Sequence, residues 1–453
     1  MSAPAAAVTR LDAATSERQQ AAVAGSLRAA GLGAGDRVAF VLGSSAPLLS
    51  AVIGCLRAAV VPVMINPGLT GPERRLLLDD ADPALVVDDQ GGLARLLRGP
   101  AGSLAAHPLA RPMHYTSGTT GRPKGVWSGV LDAEESRLLF DDEADLWGLG
   151  PDDVLLLCSP MHHSAPLRFG AGVLLRGGSV VVVDRFEAAA VVDAVNTHRP
   201  TAAFMVPTHL RRLTAGEPGD APIDRADLSS FRLLAHAGEA CPVDLKERAL
   251  ELFPEGSVWE FYGSTEGQFT VCPPDEWRLR PGTVGRARPG RRLVTDEDGV
   301  IWCAPPSYAR FSYWRDPART AAAWRELEDG SAAFSVGDMG RLDPDGYLFI
   351  DGRRDDLVIS GGVNVYPAEV EAVLGAVPGV LEVAVFGVPD PRWGQRVCAA
   401  FVGDADPELL RLRAAESLAA YKRPKDVFAV DQLPKTGTGK LLRRRVAAEL
   451  GLD

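Results

Sequence analysis

Length, composition and charge limit what this chain can be. Its 453 residues are too many for one small core, so we expect a large globular body and at least one further unit. Hydrophobic residues make up 46% and charged residues 24%, which excludes a disordered or fibrous chain, and the formal net charge of -11 argues against nucleic acid as a partner.

The cysteines and the opening sequence bear on the cellular compartment. Six cysteines form no CxxC pair and no metal-ligand spacing with the seven histidines, which is typical of reduced thiols. The opening sequence MSAPAAAVTRLDAAT lacks the basic start and apolar core of a secretory signal. We therefore expect a cytoplasmic location.

The longest apolar stretch, residues 38–56, is long enough to span a bilayer. The turn residues at 43–45 interrupt it, which predicts a strand over 38–42, a helix over 46–59 and a second strand over 60–65. This punctuation predicts that the chain has no membrane span.

Short apolar runs alternate with amphipathic stretches through most of the chain. The runs are VAFVL, VVPVMI, ALVV, VLLLC, SVVVV, AAFMV and FRLLAH. Strands that are apolar at nearly every position are covered by helices on both faces. The pattern therefore predicts an α/β fold with layered, largely parallel sheets.

The chain changes character near residue 352. An Asp-Gly pair within DPDG at 343–346 predicts a hairpin turn. A helix over 367–377 and the strands LEVAVFGV and RVCAAFVG then predict a compact α+β unit. We predict a large N-terminal domain of layered α/β sheets over 1–352, a small mobile C-terminal α+β domain over 353–453, and a hinge near Asp355.

The string YTSGTTGRPKG at 115–125 is the strongest chemical signal. Its glycines and small hydroxyl residues let backbone amides converge on phosphate oxygens, and a lysine balances their charge. It is not a Walker loop, because the Gly-Lys-Ser/Thr ending is missing. A flexible surface loop would explain the glycines but not the whole string. The candidate phosphate-binding residues are Thr116, Ser117, Gly118, Thr119, Thr120 and Lys124.

This string resembles the phosphate loop of the adenylate-forming superfamily, which includes acyl-CoA synthetases, luciferases and the adenylation domains of peptide synthetases. Further matches follow in the family's order over nearly the whole chain, which most resembles bacterial acyl-CoA ligases. AGEA at 237–240 is similar to the segment that lies along adenine, although a plain strand-to-helix turn would look the same. That resemblance makes Gly238, Glu239 and Ala240 candidate nucleotide-binding residues.

FYGSTE at 261–266 resembles the family's YGxTE motif. The resemblance implies that Tyr262, beside Gly263, packs on adenine and that Thr265 meets the α-phosphate. It assigns Glu266 to Mg²⁺, and a carboxylate suits a hard cation that bridges phosphates. A capped helix start is the alternative interpretation of this hexamer.

Matches near the C-terminus complete the pattern. The resemblance implies that Asp338 binds the ribose hydroxyls, although an ordinary aspartate in a turn is the alternative interpretation. It also implies that Arg353 contacts ribose or phosphate. It places Gly361 and Gly362 in the loop that enters the active site for the thioester step, where paired glycines let the backbone approach pantetheine. PKTGTGK at 434–440 matches the loop with the adenylation lysine, here Lys440, whereas a solvated basic tail explains the arginines that follow.

PMHHS at 160–164 resembles a motif at the wall between the nucleotide and acyl pockets, where His163 is expected to shape the carboxylate end. A structural turn would also explain adjacent histidines. Most residues that we place near the acyl pocket are apolar, and Arg168 is the one cation nearby in the sequence. A small diacid would need a cation in the pocket, so this composition favours an apolar or bulky acid. The predicted pocket residues, each of which suits ordinary core equally well, are Met161, His162, Phe169, Met205, His209 and His236.

The resemblance implies an acyl-CoA ligase that uses ATP, Mg²⁺ and CoA to convert a carboxylic acid, through its acyl-adenylate, into a thioester. Three departures bear on the first step: Val336 replaces a common threonine, Trp127-Ser128-Gly129 stands where a histidine is common, and 299–314 lacks a Gly-Glu pair. Two alternatives therefore stay open. One is a ligase that only transfers the acyl group of a supplied acyl-AMP to CoA, and the other is a catalytically silent binder of acyl-AMP or acyl-CoA.

Overall fold

The computed structural model describes residues 5–116, 123–215, 221–360, 363–435 and 441–452, except for the side chain of Asp355. It contains two compact units. The first comprises Met1–Arg292 and Cys303–Phe334, and the second comprises Leu293–Trp302 and Ser335–Asp453. The predicted boundary at 352/353 and the predicted hinge near Asp355 stay predictions.

The strands of the described chain are short, with two longer ones near the C-terminus. In chain order they are β1 (Val8–Asp12), β2 (Arg37–Phe40), β3 (Val61–Met64), β4 (Leu85–Val87), β5 (Met113–Thr116), β6 (Lys124–Trp127), β7 (Val154–Leu157), β8 (Ser179–Val183), β9 (Ala202–Met205), β10 (Leu233–His236), β11 (Val258–Glu260), β12 (Thr270–Val271), β13 (Arg286–Ala287), β14 (Arg292–Thr295), β15 (Ile301–Ala304), β16 (Ser312–Tyr313), β17 (Trp324–Glu326), β18 (Ala332–Phe334), β19 (Asp338–Leu342), β20 (Leu348–Arg353), β21 (Val358–Ser360), β22 (Val363–Val365), β23 (Val380–Asp390), β24 (Gly394–Gly403) and β25 (Asp426–Ala429).

The helices occupy the connections between these strands. They are α1 (Ala13–Ala29), α2 (Ala46–Arg57), α3 (Gly71–Ala81), α4 (Gln90–Leu96), α5 (Ala133–Leu146), α6 (Ser164–Leu175), α7 (Ala188–His198), α8 (Pro207–Leu213), α9 (Val243–Leu252), α10 (Pro274–Leu279), α11 (Pro317–Ala323), α12 (Pro367–Gly375), α13 (Pro407–Ser417) and α14 (Arg443–Glu449). In the described part of the chain, no helix combines the length and the apolar composition that crossing a membrane requires.

The first unit contains two six-stranded sheets. One has the order β1-β8-β7-β9-β10-β11 and is parallel except for β1. The other has the order β16-β6-β5-β3-β2-β4, in which β2, β3, β4 and β5 run parallel. Every residue of β8 and β9 is buried, as expected for strands covered on both faces. The prediction of layered α/β sheets is confirmed.

The apolar stretch at 38–56 folds as the punctuation predicted. β2 ends at Phe40, and α2 begins after Ser45, whose side chain accepts a hydrogen bond from the backbone N–H of Leu48 at 3.3 Å. This N-cap satisfies one of the donors that a helix start leaves free. Nearly all of α2 is buried, so its apolar residues form core.

The second unit is the predicted α+β structure. The hairpin of β19 and β20 turns at Gly346, whose φ of +83° is a backbone conformation that glycine adopts without strain. A five-stranded sheet follows, in which β23 and β24 form a long antiparallel pair and β25 lies parallel to β24. α12 begins at Pro367, where the missing N–H costs nothing, and buries Val370 and Leu374.

Candidate active site

One edge of the first sheet collects three of the motif segments. Parallel strands β7, β10 and β11 end at residues 157, 236 and 260, and they are followed within three residues by PMHHS, AGEA and FYGSTE, respectively, while β9 lies between β7 and β10. Because the carboxyl ends of parallel strands meet at one edge, these segments are neighbours, and this is where open α/β sheets bind ligands. The phosphate-loop string connects β5 to β6 of the other sheet.

The centre of the site is a buried ion pair. Glu266, with 3% of its surface exposed, accepts from the ammonium group of Lys124 at 2.9 Å. The Tyr313 hydroxyl donates to the same carboxylate oxygen at 2.9 Å and accepts from Lys124 Nζ at 2.7 Å. The ammonium group also lies 4.3 Å from the centre of the Tyr313 ring. The two motifs that carry Lys124 and Glu266 are thus joined by a residue that the sequence did not single out.

Electrostatics keep this carboxylate charged. Burial raises the pKa of Glu266, but the charge and hydrogen bond of Lys124 outweigh it, so the pKa is lowered overall. Burial and the charge of Glu266 raise the pKa of Tyr313, which stays protonated and donates. A charged, buried carboxylate beside a lysine is the arrangement that binding of phosphates and a divalent cation requires.

The donor set fits a Mg²⁺ ion that arrives with the nucleotide. Among the residues that the structure describes, no group of three or more His, Cys, Asp or Glu side chains is placed to hold a metal. Mg²⁺ is commonly bound by one or two carboxylates together with substrate phosphates. Glu266 supplies one such carboxylate, so its metal role stays a prediction that the geometry permits.

The predicted adenine segment lies at the end of β10. Gly238 has a φ of +99°, and Glu239 Oε1 accepts from the backbone N–H of Thr208 at 2.6 Å, at the start of α8. Ala240 is exposed beside them. The backbone N–H of Tyr262 donates to Thr270 Oγ1 at 3.0 Å, and its ring lies 4.7 Å from that of Phe269. Both segments are therefore fixed by local contacts.

A turn also shapes the rest of the FYGSTE motif. Gly263 pairs with Gln268 across it, and the N–H of Ser264 donates to the carbonyl of Gly267 at 2.8 Å. The carbonyl of Thr265 accepts from Arg111 at 3.3 Å. This tight turn holds Thr265 and Glu266 in place.

The second unit places the two predicted ribose residues together. Asp338 and Arg353 are directly opposite each other in the β19–β20 hairpin, and Arg353 Nε donates to Asp338 Oδ1 at 3.2 Å. Asp338 is 8% exposed, whereas the Arg353 side chain is 55% exposed. Their contact is observed, and their ribose role stays a prediction.

Three histidines meet beside β5 and α6. His163 is the N-cap of α6, and its ring lies 4.5 Å from that of His162. The carbonyl of His162 accepts a hydrogen bond from His114 Nδ1 at 3.0 Å. Burial lowers the pKa of His162 to about 4, so this ring is neutral at pH 7. His114 was not among the candidates, although it directly precedes the phosphate-loop string.

The other predicted pocket residues lie in packed surroundings. Met161, Phe169 and Met205 are each at most 1% exposed and belong to the apolar core. His209 stacks on Phe186 with ring centres 4.2 Å apart. His236 is fully buried and contacts Lys246. These contacts are those of ordinary core residues, which was the alternative interpretation of the sequence. An acyl-pocket role for these residues stays a prediction.

A cavity of about 120 Å³ lies against the FYGSTE turn, and its walls combine apolar side chains with a polar cluster. The turn contributes Ser264, Thr265, Gly267 and Gln268 to the wall, and α6 contributes Arg168. None of the six predicted pocket residues is part of this wall. Sequence reasoning found only Arg168 among the wall's arginines, because the other three come from segments far from it in the chain. The cavity-lining arginines are Arg111, Arg168, Arg288 and Arg291.

Several candidates fall outside the described residues. These are Ser117, Gly118, Thr119, Thr120, Gly361, Gly362 and Lys440. Thr116, at the end of β5, has a buried hydroxyl without a hydrogen-bond partner in the described structure. A nucleotide phosphate at this loop would supply such a partner.

The family that the sequence motifs resemble can now be compared directly with this chain. Residues 7–107 and 111–304 match the family model of the AMP-binding enzyme, and residues 369–440 match the AMP-binding enzyme C-terminal domain. The chain belongs to the AMP-binding enzyme family.

Similar proteins agree with this membership. A feruloyl-CoA synthase of Amycolatopsis sp is 35% identical over 98% of this chain and 94% of its own length. An indoleacetate–CoA ligase of Aromatoleum aromaticum is 33% identical over 92% of this chain and 89% of its own length. The crystal structure of ATP-bound MatB from Rhodopseudomonas palustris has a TM-score of 0.83 and 31% identity, and covers 97% of this chain and 93% of its own.

The enzyme class follows from this membership. The protein is an AMP-forming acid–thiol ligase, a class that uses ATP, Mg²⁺ and CoA and proceeds through an acyl-adenylate. The predicted family, fold class and enzyme class are confirmed.

Proposed function

We propose that the protein forms the CoA thioester of a carboxylic acid with an apolar body about the size of one aromatic ring. The observation that carries the proposal is the cavity of about 120 Å³ against the FYGSTE turn. A dry cavity of about 150 Å³ holds benzene, so one ring is a reasonable occupant. The apolar part of its wall includes Val52, Ile53, Leu56, Leu139, Phe140 and Leu167. The names of the feruloyl and indoleacetate relatives are those of aryl acids, the first with one ring and the second with two fused rings, and both agree with an aromatic acid.

The residues present suit the first half-reaction. Lys124, and by resemblance Lys440, would stabilise the charge that develops as the acid carboxylate attacks the α-phosphorus of ATP and pyrophosphate leaves. Glu266 would hold Mg²⁺, which neutralises phosphate charge when bound. Asp338 and Arg353 would position the ribose, and Tyr262 the adenine.

The second half-reaction needs no nucleophilic side chain. The CoA thiol attacks the carbonyl carbon of the acyl-AMP, the bond to the AMP oxygen breaks, and the thiol proton is lost. The loop with Gly361 and Gly362 would replace Lys440 near the reacting atoms by movement about the hinge near Asp355. His163 would border the carboxylate end of the acid.

Two alternatives make different predictions. A ligase restricted to the second step would form thioester from supplied acyl-AMP alone, and a silent binder would form none. The Lys124–Glu266 pair argues against the silent binder, because a pure binder has no need for a buried charged pair that is costly to desolvate. We also include a cytoplasmic location in the proposal, since all six cysteines are free thiols.

The test supplies CoA together with either the acid plus MgATP or the matching synthetic acyl-AMP. The panel contains aliphatic, single-ring and polycyclic acids, and thioester is quantified by mass spectrometry. Thioester from both inputs, with the highest kcat/KM for single-ring acids, is the expected result. Thioester from acyl-AMP alone would reduce the protein to the second half-reaction, and a preference for polycyclic acids would overturn the size argument.

A further inference from the structure

The wall of the cavity carries more positive than negative charge. Four arginines line it, against the two carboxylates of Asp142 and Glu143. Both Arg288 and Arg291 contact Asp142, at 3.0 and 2.7 Å. Arg288 also binds Glu143 at 2.9 Å, and Arg168 reaches Glu143 only at 3.4 Å. Two of the four positive charges therefore have no matching carboxylate among the described residues of the wall.

Arg111 has the weakest local compensation. Its guanidinium group donates to Ser128 Oγ at 3.2 Å and to the carbonyl of Thr265 at 3.3 Å, both neutral acceptors. Nearby, Arg168 has a buried Nε with no hydrogen-bond partner in the described structure. Burial and then the charge of Arg168 lower the pKa of Arg111 to about 10, so the two cations raise each other's energy.

A neutral hydrogen-bond acceptor lies on the same wall. His114 is 4% exposed, and its Nδ1 contacts the carbonyl of His162, which can only accept. The proton therefore sits on Nδ1, and Nε2 is an acceptor, which has no partner among the described residues. Burial lowers the pKa of His114 to about 3, so the ring does not become a third cation at pH 7.

A buried cluster with more cations than carboxylates is costly unless a ligand supplies the missing negative charge or hydrogen-bond acceptors. We propose that the acid carries a second oxygen-bearing group, remote from its reacting carboxyl, and that Arg111 and Arg168 bind this group. A second carboxylate would supply the missing negative charge. A ring hydroxyl would accept from a guanidinium group and donate to His114 Nε2. This inference rests on the proposed function, and it adds a polar end to the apolar body of the acid.

The test compares three acids that share one skeleton: 3-phenylpropanoic acid and its derivatives with a carboxylate or a hydroxyl on the ring. The readouts are kcat/KM for thioester formation and, independently of turnover, the Kd of each acid by calorimetry. We expect kcat/KM to be at least about tenfold higher for a substituted acid than for the unsubstituted one, since one hydrogen bond to a charged group contributes about 1.5–3 kcal/mol. Equal values for all three acids would overturn the inference.

Variants then assign the preference to the arginines. Arg168→Met and Arg111→Met should each reduce the ratio of kcat/KM between substituted and unsubstituted acid toward one. Arg168→Lys, which keeps the charge, should preserve part of the preference for the carboxylate acid. The matched control is Arg176→Met, at the end of α6, where Arg176 pairs with Asp141 and Asp145 outside the cavity wall. The Arg176→Met variant should leave the ratio of kcat/KM unchanged. If Arg111→Met and Arg168→Met also leave this ratio unchanged, the inference is overturned.

The readouts separate this inference from the proposed function. Thioester formation from all three acids without a preference leaves the ligase intact and removes the second group. A different outcome is that a substituted acid binds more tightly, but no thioester forms either from acid plus MgATP or from acyl-AMP. In that case the arginine subsite stands and the proposed function falls.

Discussion

At the scale of single residues, the site depends on charges that are buried together. Glu266 is held between Lys124 and Tyr313, and Tyr313 comes from the segment 299–314, which lacks the family's Gly-Glu pair. The departure therefore does not remove chemistry from this site, because the segment delivers a hydroxyl to the carboxylate. Removing one partner of a buried pair leaves an uncompensated charge, which makes these residues sensitive to substitution.

Glu266→Gln tests the central carboxylate. We expect the rate of acyl-AMP formation from acid and MgATP to fall about 100-fold or more, as for the loss of one transition-state-stabilising group. Pyrophosphate release at saturating ATP is the measurement, with thermal melting to check folding. Tyr313→Phe is the comparison variant, since it removes the two hydrogen bonds of the hydroxyl group, each worth about 1 kcal/mol, and keeps the carboxylate. Wild-type activity in Glu266→Gln would remove Glu266 from the mechanism.

Glu143 predicts a pH-dependent contribution to stability. Burial opposes ionisation, but the charges of Arg168 and Arg288 lower the pKa of Glu143 to about 2, below the unfolded value of about 4.3. The ionised Glu143 side chain therefore contributes fully to the free energy of unfolding above about pH 4.3, and this contribution is lost as pH falls toward about 2. Glu143→Gln should lower the free energy of unfolding by about 3 kcal/mol at pH 7 and by less at pH 3, measured by urea titration.

The control for this pH effect is on the same helix. Glu134→Gln changes an exposed carboxylate of α5 that pairs with Arg137, and it should change stability little at either pH. If the loss in Glu143→Gln has the same size at pH 3 and pH 7, ionisation of Glu143 is not its cause.

At the scale of elements, the site is a consequence of strand direction. Four parallel strands end at one edge, so segments far apart in the sequence become neighbours without any long-range signal in the motifs themselves. Each segment is then shaped locally. Gly238 supplies a positive φ after β10, and the turn of residues 263–268 holds Glu266.

Gly238→Ala tests the shape of the predicted adenine segment. A side chain at φ +99° is strained, at a cost of about 1–2 kcal/mol, and the segment must shift to relieve it. We expect KM for ATP to rise severalfold, measured by initial rates, while KM for CoA stays unchanged. Gly256→Ala is the matched control, because Gly256 has a φ of +81° with open space around it in the turn before β11. An equal rise in KM for ATP in both variants would contradict the assignment.

At the scale of the whole molecule, two units divide the predicted chemistry. Lys124 and Glu266 belong to the first unit, whereas Asp338, Arg353 and the chain segment with Lys440 belong to the second. We propose that the two half-reactions use different parts of the second unit in turn. The assignment of Lys440 to the first half-reaction alone can therefore be tested separately.

Lys440→Ala should separate the two half-reactions. We expect thioester formation from acid and MgATP to fall about 100-fold or more, because a charge that stabilises the adenylation transition state is lost. Thioester formation from synthetic acyl-AMP should remain. Lys435→Ala is the control from the same segment, since Lys435 pairs with Glu382 at an exposed position. A parallel loss in both reactions would show that Lys440 is not specific to adenylation.

Much of the fold followed from local sequence. The strands at 38, 61, 154, 179, 202 and 233 formed where apolar runs stand, and α2, α12 and the hairpin at Gly346 began or turned at their caps, prolines and glycines. These features are decided by residues within a few positions of one another. The chemical assignments also needed only short strings, because phosphate-binding loops are contiguous.

The tertiary structure decided which distant residues meet. It brought Tyr313 to the Lys124–Glu266 pair, and it placed Phe169 and Met205 in the core instead of in the wall of the cavity. It also collected four arginines from three separate segments around one cavity, where the sequence showed only Arg168. Such contacts depend on strand order, register and helix packing, so periodicity and motifs determine the elements and the chemistry, while packing determines which side chains line the cavity.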